Sequence, residues 1–203
     1  MHRIMAQKST SRPVGRPREF DEEAALEAAM DAFWAKGFEA TSMSDLCNCT
    51  GLHKGSLYQA FGDKHTLFMD ALKHYADSEF HETTAVIRES NSPLENIRAV
   101  VNRICEDAGG EKGCMMINSM VELAPHDPAV KAALQGFGEQ RMRAITEMIA
   151  MAQDAGELSV KTEPYKLARQ LMLTLAGGAA MAKGILPQEE ITAVLNDLID
   201  SWV

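Results

Sequence analysis

No run in this chain of 203 residues is apolar enough to cross a bilayer. The longest, residues 171–182, contains Thr174 and two glycines and falls short of the about 20 apolar residues that a membrane helix needs. No signal-peptide pattern follows Arg3 and Lys8, so a cytoplasmic protein without a membrane partner is expected. Cysteine is scarce. Cys47, Cys49, Cys105 and Cys114 form no CxxC pair, and no histidine pair completes a zinc pattern. The expectation is reduced thiols and no metal site. The sequence also lacks a nucleophile–base pair, a phosphate loop and a metal-ligand set, so neither catalysis nor a cofactor is expected. Strand alternation and internal repeats are missing too. What is present is a globular composition, long enough for one or two domains with a core that folds without staples.

The net charge of −9 at first argues against a nucleic-acid partner. Its distribution argues the other way. Residues 1–75 carry nine Lys/Arg against ten Asp/Glu, whereas residues 76–203 carry eleven against nineteen. Residues 1–18 hold five basic residues and no acid. With Pro13, Pro17 and no apolar periodicity, residues 1–19 are expected to be a flexible basic arm. Arg16 and Arg18 flank Pro17 in a segment of the kind that enters a minor groove, where arginine fits a narrow negative channel. A plain solvated tail is the alternative.

Apolar periodicity and capping signals predict an all-α chain of about nine helices. The first covers residues 21–36, capped by Asp21, with Leu26, Ala29, Met30, Phe33 and Trp34 on one stripe and Gly37 as its stop. The second and third meet at Gly51. A fourth begins at Lys64 and runs to about residue 89. Ser92-Pro93-Leu94-Glu95 is a capping box with proline at the first helical position, and it starts a fifth helix that Gly109-Gly110 ends. The sixth covers about 114–124. The seventh starts at Asp127-Pro128 and runs to about 155. The eighth follows Glu163-Pro164, and Pro187 opens the ninth.

The stretch 41–64 is the one the rest serves. Placing Gly51 at the turn of a helix-turn-helix unit puts Leu46, Thr50, Leu52, Leu57 and Ala60 where the two helices pack, with Cys47 in the small slot at their crossing. Gly51 reaches positive φ without a Cβ clash. Thr41 and Ser42 both offer an N-cap hydroxyl, with Asp45 three residues after Ser42. His53, Lys54, Gly55, Ser56, Tyr58 and Gln59 remain facing outward from the second helix of the unit. They are small, polar or cationic, and suit a phosphate backbone and base edges.

On these residues the chain resembles the TetR family of transcriptional regulators. The similarity is carried by GRPREF at 15–20, FWAKGFEATSMSDL at 33–46 and TGLHKGSLYQAFGDKHTLF at 50–68. Gly51, Leu52, Gly55, Ser56, Leu57, Tyr58, Phe61 and Lys64 follow the family pattern in order. GCMMINSMVELAPHDP at 113–128 resembles a segment of one branch of its regulatory domains. His53, Cys47 and Cys49 depart from the usual residues and bear on base preference. The resemblance implies a homodimer on a palindromic double-stranded operator, released by a small effector in the second domain. It implies a basic arm at 1–19, a helix-turn-helix head at 20–66 and a ligand-binding and dimerisation domain at 67–203. Thr41, Lys54, Tyr58 and Lys64 would contact phosphates, with Ser42 beside them. His53, Gly55, Ser56 and Gln59 would lie nearest the bases.

The second part offers further candidates. Arg141 interrupts the apolar stripe of the seventh helix and is either a contact for an anionic effector or one half of a salt bridge, with Glu122 as the suggested partner. Met115, Met116, Met120, Met148 and Met172, together with Phe137, suit an adaptable apolar effector site. Cys105 and Cys114 flank a glycine-rich turn and make a thiol-sensing regulator the alternative function, although small buried residues are the simpler reading. His74 and His81, seven apart, are read as a solvated face. The last two helices carry more apolar surface than one small domain needs, and Leu171, Leu175, Ala179, Ile191, Leu195, Leu198 and Trp202 are the expected dimer contacts. An all-α carrier or enzyme using the same cavity is the remaining alternative.

Overall fold

The computed structural model describes residues 20–89, 92–108 and 112–203. The basic arm with Arg16 and Arg18, and the Gly109-Gly110 stop, lie outside the described residues. Among the described residues there are nine helices and no strand: α1 (Glu22–Lys36), α2 (Met43–Thr50), α3 (Lys54–Phe61), α4 (Lys64–Ala85), α5 (Pro93–Ala108), α6 (Met115–Glu122), α7 (Pro128–Asp154), α8 (Pro164–Met181) and α9 (Gln188–Asp200).

Local chemistry fixes most of the helix starts. Asp21 accepts the amides of Glu23 and Ala24, Asp63 that of Thr66, and Asp127 those of Ala129 and Val130. Each capping carboxylate satisfies amides that have no partner within the helix. Ser42 and Asp45 form a reciprocal capping box on α2, and Ser92 and Glu95 do the same on α5. The hydrogen bonds from Ser42 and the ion pair with Lys36 (2.6 Å) hold the Asp45 carboxyl far below the usual carboxylate range.

Two sequence expectations are corrected here. Thr41 does not share the capping of α2. It is fully buried, and its hydroxyl donates to the Gly37 carbonyl at 2.6 Å. Helix α4 ends at Ala85 rather than near residue 89. The Thr83 and Thr84 hydroxyls bond back to the carbonyls of Glu79 and Phe80, which weakens the last turn. Asn96 then captures the departing chain, accepting the Arg88 amide and donating to the Arg88 carbonyl, both at 2.9 Å.

Two apolar cores result. One gathers Phe33, Leu46, Leu57, Phe68 and Leu72 with Met115, Leu123, Val130 and Leu134, so the head shares its interior with α6 and the start of α7. Phe33 meets Phe68 edge-to-face at 5.2 Å between centroids. The other joins α5, the second half of α7, α8 and α9 around Ile97, Val101, Ile149, Leu195 and Ile199. Helices α4 and α7 cross between them; α4, at 22 residues, spans about 33 Å.

The expected dimer contacts are therefore also corrected. Leu171, Leu175, Ala179, Ile191, Leu195 and Trp202 are buried within a single chain, and Leu198 packs against the same core. Side chains committed to this interior are not a surface for a second copy. The large apolar residues that α8, α9 and the turn between them leave exposed are Tyr165, Leu173, Met181, Ile185 and Val194.

Helices α8 and α9 approach closely at Gly178, where an added Cβ would lie 2.6 Å from Ile191 Cγ2. Gly136, exposed on α7, has open space around it. Gly136→Ala is expected to stabilise the fold by about 0.5–1 kcal/mol through helix propensity. Gly178→Ala should destabilise it, because overpacking of roughly 1–3 kcal/mol outweighs that gain. Urea denaturation of the two variants checks the opposite signs.

Candidate functional site

The helix-turn-helix is built as its spacing predicts. Gly51 sits in the left-handed region at φ 69° and turns α2 into α3. Leu46 and Leu57 are buried between the helices. Thr50 Oγ1 donates to the Leu46 carbonyl at 2.7 Å and accepts the Leu52 amide at 3.3 Å, which fixes the turn. His53, Lys54, Gly55, Tyr58 and Gln59 are exposed and Ser56 is half-buried. Lys54 Nζ lies 5.7 Å from the Tyr58 ring centroid, so cation and phenol stand together. Side chains cap α1, α2 and α4, but none caps α3, where His53 holds the N-cap position without a side-chain bond. The open first amides of α3 and the neighbouring Lys54 make that end of the helix receptive to an anion. Lys64 is half-buried, with Nζ 4.3 Å from the Phe38 ring centroid. Ser42 is exposed, with its hydroxyl already bonded to Asp45. Thr41 has no exposed surface to offer a phosphate.

The head is tied to the second domain by contacts between residues far apart in sequence. The Glu122 carboxylate, at the last residue of α6, accepts the amides of Phe38 (3.1 Å) and Glu39 (2.9 Å) in the turn before α2. His65 at the start of α4 pairs with Asp127 at 2.6 Å. The Trp34 indole donates to the Gly113 carbonyl at 2.9 Å, and Lys112 pairs with Asp31 at 3.0 Å.

Behind this junction lies a cavity of about 680 Å³, its open mouth included, walled by α4 to α8. Of the expected effector residues, Met116, Met120, Phe137, Arg141 and Met172 line it. Met115 and Met148 do not. Met115 is buried in the core of the head, and Met148 packs into the other core. Arg141 is one half of a buried ion pair, and its partner is Glu79 on α4 rather than Glu122. Burial pulls the Arg141 guanidinium below its ordinary value and pushes the Tyr75 phenol up, so Tyr75 faces the cavity as a neutral hydroxyl. Burial also raises the Asp107 carboxyl, with Arg103 opposing.

The two cysteines considered as a thiol pair are parted. Cys114 lines the cavity, whereas Cys105 is buried in the second core, where burial raises its thiol and disfavours the reactive thiolate. All four cysteines are free. Among the described residues no group of three or more His, Cys, Asp or Glu side chains is placed to hold a metal ion. Among them, too, no helix is long and apolar enough to cross a membrane.

Sequence reasoning missed Tyr75, Glu79 and Asp107 as cavity residues and Glu122 as the link to the head. Glu79 carried one signal: a charge on the long helix four residues after Tyr75, on the face that carries the apolar stripe.

Comparison with known proteins follows this geometry. The family profile described as "Bacterial regulatory proteins, tetR family" matches residues 25–71, which hold α2 and α3. The profile "Tetracyclin repressor-like, C-terminal domain" matches residues 93–195. The chain is 29% identical over 192 residues to the HTH-type transcriptional repressor ComR of Escherichia coli (strain K12), covering 93% of this chain and 91% of that protein. It is 33% identical over 163 residues to the uncharacterized HTH-type transcriptional regulator YezE of Bacillus subtilis (strain 168), covering 78% and 84%. Among solved structures, a cysteine-mutant form of the TetR family transcriptional regulator CifR complexed with 26-bp double-strand operator DNA superposes with a TM-score of 0.81 at 29% identity, covering 93% of this chain and 100% of that one. A helix-turn-helix head seated on a helical, cavity-bearing second domain, matched by both family profiles, places this chain in the TetR family of bacterial transcriptional regulators.

Proposed function

We propose that this chain is a ligand-responsive, DNA-binding transcriptional repressor. It acts as a homodimer on a palindromic double-stranded operator, in the cytoplasm where that DNA lies. The observation that carries the reading is the pair of hydrogen bonds from the Phe38 and Glu39 amides to Glu122. They join the wall of the cavity to the turn that aims the recognition unit. Relatives named as repressors, and a similar fold bound to operator DNA, support the DNA-binding half of the statement.

The chemistry divides along α3. Lys54, Tyr58 and Lys64 supply phosphate contacts and the open amides of α3 a further one, while the exposed Gln59 suits bidentate pairing with adenine and Gly55 lets the backbone approach. His53 and Ser56 complete the base-facing edge. Arg16 and Arg18 in the basic arm remain proposed minor-groove contacts. Two such helices enter successive major grooves only when the heads stand about 34–36 Å apart. A ligand that displaces α6 (Met116, Met120) moves Glu122, hence the turn at Phe38 and Glu39, hence α2 and α3. By linkage, operator DNA weakens ligand binding by the same factor. The dimer face proposed lies on α8, α9 and the turn between them, where Leu173, Met181, Ile185 and Val194 are exposed.

Five outcomes test this reading. Operator sequence selected from a random pool should be retarded by the purified protein in a salt-dependent way. Lys54→Ala should lower the slope of log affinity against log salt by about 1, and Gln59→Ala should cost about 1–3 kcal/mol at one base position. Glu122→Ala should still bind ligand by calorimetry yet release operator several-fold less, because two amides lose their acceptor and the head is uncoupled. Leu173→Glu should elute as a monomer on gel filtration and lose operator affinity. A variant that stays dimeric places the interface elsewhere.

A further inference from the structure

We infer that the cavity takes an amphiphilic organic cation, an apolar body ending in an ammonium group, rather than the anionic effector that Arg141 suggests on sequence. The inference rests on the effector-site reading above and names the chemical class of ligand for it.

The argument begins with charge. Arg141 is already matched by Glu79, both side chains being buried, at 16% and 8% exposed. An incoming carboxylate would have to displace Glu79, leaving that charge unpaired in an apolar wall. Arg103, beside the cavity, meets Glu82, Asp107 (3.0 Å) and Glu106 (3.7 Å) at once. Lys112 is matched by Asp31. Of the charged residues that wall the cavity, Glu79 and Asp107 stand against Arg141 alone, and the surplus is negative. One oxygen of that surplus lacks a donor: Asp107 Oδ2, on a residue that walls the cavity, is shielded from solvent and makes no hydrogen bond, although Oδ1 of the same group holds Arg103. A buried carboxylate oxygen left unmatched favours a ligand that carries positive charge.

Shape and aromatic chemistry agree. Against the main cavity lies a second hollow of about 590 Å³, open solvent included, and the two share Tyr75, Glu79 and Asp107 as walls. The second hollow adds Trp34, Met30 and Glu82. Trp34 and Tyr75 stand edge-to-face at 5.0 Å between centroids, and the Trp34 ring is held by its bond to Gly113. That ring already accepts an ammonium, the Lys112 Nζ at 4.9 Å from its centroid. Carboxylates beside aromatic faces are the surroundings in which an organic ammonium is held. The apolar tail then occupies the inner walls, where Met116, Ile117, Phe137 and Met172 adapt to its shape.

The experiment uses the full chain and three probes of equal length: decyltrimethylammonium, decanol and decanoate. Each is titrated calorimetrically below its micelle concentration. The expected result is decyltrimethylammonium binding at least about tenfold more tightly than decanoate, equivalent to about 1.4 kcal/mol, with decanol between them. Asp107→Asn should reduce the cation-to-anion ratio several-fold, whereas Glu147→Gln, which removes an exposed charge on α7 outside the cavity, should leave it unchanged. Decanoate or decanol binding as tightly as the cation would overturn the inference, as would equal effects of the two substitutions. Should Asp107→Asn not fold, the wild-type ratio decides alone. Operator retardation by the ligand-free protein is read separately. Its absence would remove the repressor reading, while intact retardation without charge preference would overturn only the ligand class.

Discussion

One carboxylate forms a two-bond clamp between the cavity wall and the head. Glu122 ends α6, and its two oxygens accept the amides of Phe38 and Glu39, more than eighty residues away in sequence. Gly37 makes the contact feasible. Its φ of 85° turns the chain toward Glu122, and an added Cβ there would stand 2.9 Å from Oε2. The arrangement is stiff because both partners are fixed elsewhere. The turn is held by the buried Thr41 hydroxyl on the Gly37 carbonyl, and the segment after α6 by His65 on Asp127. A two-acceptor clamp of this kind transmits displacement well, since a shift of its anchor breaks two bonds or drags both amides along.

The clamp gives meaning to the two cores. The core of the head includes Met115, Leu123, Val130 and Leu134, so the helix-turn-helix unit is built partly from the second domain. No linker separates them. The other core, around Ile149, Leu195 and Ile199, joins α5, the second half of α7, α8 and α9 into a base for the cavity. The net acidity of the chain fits the same plan: the carboxylate surplus sits around the cavity and behind it, while Lys54 and Lys64 stand forward on the head.

Much of this was legible in the sequence, and the boundary of legibility is physical. Helix starts were readable because caps are local: Asp21, Ser42 with Asp45, Ser92 with Glu95, and Asp127 all act within three residues of themselves. The helix-turn-helix was readable for the same reason, its packing residues and Gly51 lying within one short stretch. The end of α4 was not, because Asn96 captures Arg88 from the next helix. The role of Thr41 is not legible, since a hydroxyl that caps and one that bonds back to a carbonyl look alike in one dimension. Arg141 announced itself as a charge on an apolar stripe, but its partner Glu79 lies on another helix, and nothing in the spacing favours Glu79 over Glu122. The dimer contacts failed for a different reason. Apolar periodicity marks a face that is buried without saying whether the chain's own core or a second copy buries it, and on α8 and α9 the own core takes Leu171, Leu195 and Trp202.

The shared core has a consequence for how the protein comes into being. As the chain is synthesised, α1, α2 and α3 emerge first, and domains generally fold in that order. Here the first helices cannot complete their interior until Val130 and Leu134 have left the ribosome. The helix-turn-helix unit is therefore finished only after α6 and the start of α7 exist, and a nascent or prematurely terminated chain lacks a completed one.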